Sequence, residues 1–108
     1  MGALLAQILD LAEAGKVRVS AHGLEELAND DITFTELLEG LRFAIGVEEY
    51  GDYHKGPCIL VLQAAIDGSP VHVLWGIARN APDIATLITA YRPDPDRWSE
   101  DFLKRKPR

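Results

Sequence analysis

The apolar residues of this chain change their period once, near residue 42, and that change constrains the fold more than any other feature. Ahead of it the spacing is helical. Leu4, Ile8 and Leu11, with Leu5, Leu9 and Ala12 beside them, recur every three to four residues, which lines them along one stripe of a helix. Gly15 offers a left-handed stop, so the spacing predicts a helix over residues 3–14. Val17–Ser20 reads as a short strand, and Ser20 is placed to cap a helix carrying Leu24, Leu27 and Ala28. Thr33 and Glu36 have the spacing of a capping box, while Ile32 and Leu37 occupy the two positions of a hydrophobic staple. That helix is expected to end near Glu39 or Leu41.

Past this point the period is two. Phe43, Ile45 and Val47 alternate with small or polar residues, and Pro57–Ile66 is almost continuously apolar, as a central strand covered on both faces would be. Asp67-Gly68 is a hairpin-turn pair. Val71, Val73, Trp75 and Ile77 alternate again, Arg79–Asp83 reads as a proline-containing loop, and Ile84–Tyr91 supplies a fourth long strand. Asp96 is placed to cap a last helix with Trp98 and Phe102 on one face. Helices followed by strands mean α+β. The expectation is N-terminal helices packed on a twisted antiparallel meander of about four strands, plus a short N-terminal strand and a C-terminal helix. Short connections favour the meander over parallel crossovers. No linker or repeat divides the chain, so residues 1–108 are read as a single domain, with 1–15 a leading helix and 17–105 the α+β core.

Charge and cysteine usage narrow the function classes. The net charge is −6, which argues against broad nonspecific nucleic-acid binding, because phosphate affinity comes mostly from Lys and Arg. The distribution is uneven: acids crowd the first half, whereas Arg92, Arg97, Lys104, Arg105, Lys106 and Arg108 lie near the end. Such an end can touch phosphate locally or pair with an acidic face of a second subunit. Cys58 is the one cysteine, set in an apolar run, and reads as a buried thiol. No stretch approaches the roughly 20 apolar residues of a membrane span, and the apolar N-terminus lacks a basic flank. A reducing cytoplasm is the expected compartment.

The candidate chemistry is concentrated after the last strand. Leu87–Trp98 joins that strand to a proline-stiffened turn and gathers Tyr91, Arg92 and Arg97 there. Arginine can bind phosphate bidentately, and tyrosine can stack on a base or position a 2′-hydroxyl. The structural alternative is that Arg92 or Arg97 pairs with Asp94, Asp96 or Asp101 and orders the turn. His22, in the first turn of its helix beside Glu25 and Glu26, is either a proton-transfer group or a surface histidine. His72 lies on the strand face opposite Val71, Val73 and Trp75, and is a core histidine or a site residue according to what covers that face. His54 reads as a solvated loop residue. His22, His54, Cys58 and His72 do not have the spacing of a zinc site, and no cofactor-binding motif occurs.

Several segments together carry a family resemblance. They are Val17-Arg18-Val19-Ser20-Ala21-His22, Asp31-Ile32-Thr33, Glu49-Tyr50, Gly56-Pro57-Cys58-Ile59-Leu60-Val61-Leu62 and Pro70-Val71-His72-Val73-Leu74. The most specific is Ile88–Trp98 with Asp101-Phe102. Over about residues 17–105 the chain resembles a family of small bacterial proteins designated domain of unknown function 4258. The resemblance implies a RelE/ParE-like toxin architecture, in which two helices pack on a twisted antiparallel sheet. Many proteins of that architecture cleave messenger RNA without a metal. Together with the cationic strand exit, that fold motivates an RNA-cleaving or RNA-binding reading in which His22 or His72 transfers protons, Tyr91 and Arg92 grip the nucleotide, and Arg97 contacts RNA or another anion. RNA or the ribosome, an antitoxin-like protein and a second copy are the partners it admits.

The chain departs from the family pattern on its second helix. Where the family shows Ala and then two arginine-containing groups, Gly23, Glu26 and Asp30 stand here. Each arginine replaced by an acid loses a cation and adds a repulsion toward RNA. A non-catalytic interaction module is therefore the competing expectation. Convergence of His22, His72, Tyr91 and Arg92 on one open cleft favours the enzyme; burial or scattering favours the module.

Overall fold

The computed structural model describes residues 2–107. Helix α1 spans Ala3–Glu13, strand β1 Val17–Val19, helix α2 Ala21–Asn29 and helix α3 Phe34–Gly40, followed by a 3₁₀ turn at Leu41–Phe43. Four longer strands follow: β2 (Ile45–Tyr50), β3 (Cys58–Ala64), β4 (Pro70–Gly76) and β5 (Ala85–Tyr91). Local chemistry accounts for the starts of α2 and α3. Ser20 Oγ accepts from Gly23 N at 3.0 Å. The Thr33–Glu36 capping box is complete, with Glu36 Oε1 accepting from Thr33 N at 2.6 Å and Thr33 Oγ1 accepting from Glu36 N at 3.1 Å. The second carboxylate oxygen of Glu36 accepts from Ile66 N at 2.6 Å, so the cap also ties the β3–β4 turn to α3.

The sheet order is β1-β5-β4-β3-β2. Strands β2 to β5 form the expected antiparallel meander. The short N-terminal strand, β1, whose pairing the sequence leaves open, joins β5 in parallel, with Val17 opposite Ala85 and Val19 opposite Leu87, so the sheet is mixed. A parallel pair needs a long connection, and the two helices and the meander between β1 and β5 supply one. The architecture is thus an α+β fold with a mixed, open sheet. Ser20 seals the junction: its N–H donates to Leu87 O at 2.9 Å and its hydroxyl to Ile88 O at 2.7 Å.

One face of the sheet packs on the helices. Leu5, Ile8, Leu27, Leu37 and Leu41 meet Ile59, Val61, Val71, Val73, Trp75 and Leu87 in a single core. Gln63 is polar in this layer but satisfied, accepting from Trp75 Nε1 at 2.8 Å and donating to Leu37 O at 2.7 Å.

Two β-bulges decide what the other face carries. On β2, Gly46 pairs with Val61 and Glu48 with Leu60, leaving Val47 as an extra residue. On β5, Thr89 pairs with Leu74 and Leu87 with Trp75, leaving Ile88 extra. An extra residue inverts the in–out alternation beyond it. Leu87 and Ala90 therefore both face the helices, and Tyr91 turns outward opposite His72. Glu48 and Tyr50 are turned to the same outer face.

The expected C-terminal helix is absent. Residues 97–106 instead form a hairpin-like strap with one antiparallel bridge, Trp98 to Arg105. Side chains take the amides a helix would need: Asp94 Oδ1 accepts from Asp96 N at 2.9 Å, Asp101 Oδ1 from Leu103 N at 3.1 Å, and Ser99 Oγ from Lys104 N at 3.1 Å. Phe102 then takes a left-handed backbone conformation, φ 62°. The i, i+4 spacing of Trp98 and Phe102 serves to lay the strap on the outer face of the sheet.

Candidate functional site

His72 lies under the strap and is fully buried. Its Nε2 is 2.8 Å from the Phe102 carbonyl, which can only accept, so Nε2 carries a proton. Burial lowers the imidazole pKa below its usual value, outweighing the bond to Phe102 that raises it. The neutral ring then accepts at Nδ1 from the Tyr91 hydroxyl, 3.1 Å away. Trp98 meets the His72 ring edge-on at 4.3 Å between centroids, and Tyr91 does so at 5.3 Å. Burial also raises the Tyr91 pKa. Both ring nitrogens of His72 are thus committed within the protein.

Three further residues join this cluster: Glu48, Tyr50 and Arg105. Arg105 Nε donates to Glu48 Oε1 at 2.7 Å, and Tyr50 OH donates to Glu48 Oε2 at 2.8 Å. The Arg105 guanidinium sits 4.7 Å from the centre of the Trp98 ring, a cation–π contact that clasps the strap. Burial pushes the Glu48 pKa up, but the bonds from Tyr50 and Arg105 prevail and hold it below the usual carboxylate range. Glu48 and Tyr50 had a sequence signal, an i, i+2 pair sharing one strand face. Arg105 had none, because its place depends on the strap.

The remaining candidates lie elsewhere. Arg92, just past β5, donates to Ser69 Oγ at 2.7 Å and to Asp30 O at 3.1 Å, joining the β3–β4 turn to the end of α2. Arg97 is exposed and lies 3.8 Å from Asp94, a pairing within the turn itself. His22 is exposed on α2, with Nε2 3.8 Å from Glu26. His54 is also exposed, its ring 4.6 Å from that of Tyr53. Cys58 is buried, and that burial raises its thiol pKa. The structure therefore brings His72 and Tyr91 together but sets His22, Arg92 and Arg97 apart from them, so the four proton-transfer and gripping candidates share no open cleft. Among the described residues, no three His, Cys, Asp or Glu side chains gather in a way that would hold a metal ion.

Two surface features border this face. Arg97, Arg105, Lys106 and Asp96 line a polar recess of about 410 Å³ at the base of the strap. On the opposite flank, Gly40, Phe43, Ile45, Leu62, Pro70 and Phe102 help line an apolar groove of about 360 Å³. Phe43 is 77% exposed and Ile45 50%, and Ile66, in the neighbouring β3–β4 turn, is 90% exposed. Strand β2 is the outermost strand on that side, so its outer edge has no strand partner among the described residues. Among the described residues, no helix is long and apolar enough to cross a membrane.

The signature of the family described as Domain of unknown function (DUF4258) matches residues 19–92. The chain belongs to this family. No curated protein and no solved structure matches it.

Proposed function

We propose that this DUF4258 member is a RelE/ParE-like protein that works by binding another protein, in the manner of a bacterial toxin relative held by an antitoxin-like partner in the cytoplasm. The observation that carries this reading is the uncovered β2 edge flanked by exposed Phe43 and Ile45. Large apolar side chains beside an open strand edge are an aggregation liability unless something covers them. The scattering of the catalytic candidates points the same way, since a buried His72 with both nitrogens engaged has no proton position open to a substrate.

Light scattering on the chain purified from its native cytoplasm tests this reading. The expected result is a mass above that of one chain, which returns to the monomer value in a Phe43→Ser, Ile45→Lys variant. A strict monomer with no retained partner would count decisively against it.

An RNA-directed role is the second reading. Its support is that the strap lying over His72 and Tyr91 carries Arg105, which lines a recess with Arg97 and Lys106. Labelled RNA and ribosomes incubated with the wild type and with His72→Ala and Arg92→Ala variants separate the two readings. The binding role predicts no cleavage by any of them, whereas cleavage lost in both variants would establish the second.

A further inference from the structure

The β2 edge combines two features that ordinarily oppose each other. It carries a bulge at Val47 and the acids Glu48 and Glu49, devices that discourage a strand edge from pairing with copies of itself. Yet Phe43 and Ile45 stand open beside it, next to the groove lined by Leu62, Pro70 and Phe102. An edge built solely to repel would not keep that apolar surface. Between Glu39 and Asp52 the chain has four carboxylates and one cation, Arg42. Glu48 is already paired with Arg105, but Glu49 and Asp52 are exposed with no ion pair among the described residues. On a molecule of net charge −6, a second copy would bring the same acids to the same edge.

We infer that the β2 edge receives an extended segment of a different protein whose residues alternate between apolar and Lys or Arg. Backbone hydrogen bonds to β2 supply the affinity common to strand addition, and alternate side chains supply the selectivity. The apolar positions of the segment lie toward Ile45 and the groove, and its cations face Glu49 and Asp52. Like-charge juxtaposition excludes acidic segments and other copies of this chain. The inference rests on the protein-binding reading above and names the partner's chemistry.

The test titrates the ¹⁵N-labelled full chain with a short synthetic peptide alternating valine and lysine, and separately with its valine–glutamate counterpart. The lysine peptide is expected to shift the amides of Ile45–Tyr50 and to bind at least about tenfold more tightly than the glutamate peptide. A Glu49→Lys variant, exposed and expected to fold normally, should narrow that preference. Equal binding of the two peptides, binding of neither, or shifts centred on another element would overturn the inference. So would concentration-dependent broadening of the β2 amides in the protein alone, which would make a second copy the occupant. The protein-binding reading survives each of these failures if light scattering still finds a complex sensitive to Phe43 and Ile45.

Discussion

His72 illustrates how one buried residue can hold an outer layer in place. Its Nε2–H gives the Phe102 carbonyl its partner, and its Nδ1 takes the Tyr91 hydroxyl. Replacing it with leucine would remove both bonds, so His72→Leu should cost about 2–4 kcal/mol of unfolding free energy, read from urea denaturation at neutral pH. The same residue gives a pH signature. Its folded pKa is depressed, so below the ordinary histidine value the unfolded chain binds the proton more readily than the folded one. Its contribution is therefore complete above about pH 6.5 and declines as the pH falls toward the folded pKa. The stability gap between wild type and His72→Leu should narrow between neutral pH and about pH 5. A gap independent of pH would contradict the burial of a neutral ring.

Backbone geometry makes a different demand at Gly56. It has φ 127°, and a Cβ there would strike the Ile77 carbonyl oxygen. Gly56→Ala should destabilise the fold by about 3 kcal/mol, from strain and overpacking together, and lower the urea midpoint accordingly.

Among the elements, the strap is held by few regular bonds. It rests on a single bridge, the Arg105–Glu48 pair, the Trp98 contacts and the Phe102–His72 bond. Its amides at Ser99 and Lys106, bonded to Lys104 O and Arg97 O, should exchange with solvent markedly faster than those of Val61 and Val73 in the central strands. Equal protection by hydrogen-exchange mass spectrometry would mean that the strap opens only with the whole protein.

The elements also divide by how far the sequence reveals them. The capping box at Thr33 and Glu36, the Ser20 cap and the Asp67-Gly68 turn are legible because each is settled within a few residues. The parallel pairing of β1 is not, since it depends on where β5 ends up after the meander. The bulges at Val47 and Ile88 are invisible to a period-two pattern, yet they set which way Glu48 and Tyr91 face. Trp98 and Phe102 fit a helix by spacing, but Ser99 and Asp101 divert the backbone amides into a turn. Of the candidate site, the His72–Tyr91 pair could be suspected from its strands, whereas the role of Arg92 as a tie between α2 and the β3–β4 turn required the folded chain.

At the scale of the molecule, the fold separates two surfaces. The outer sheet face is roofed by the strap, with its titratable groups turned toward one another. The β2 edge is open, acidic and bordered by apolar side chains. A chain of net charge −6 organised in this way is suited to a basic protein segment better than to a polyanion. Raising the salt concentration should weaken binding of such a segment, by screening Glu49 and Asp52, while leaving the contacts at Ile45 in place.

Hydrogen exchange on the β2 amides, compared between the isolated chain and the complex recovered from native cells, asks whether a partner sits on this edge. Ile45–Tyr50 should exchange more slowly in the complex, with little change in β1 or around His72. Unchanged β2 exchange, with protection appearing instead at the strap or on α2, would place the partner elsewhere and overturn the reading of β2 as the binding edge.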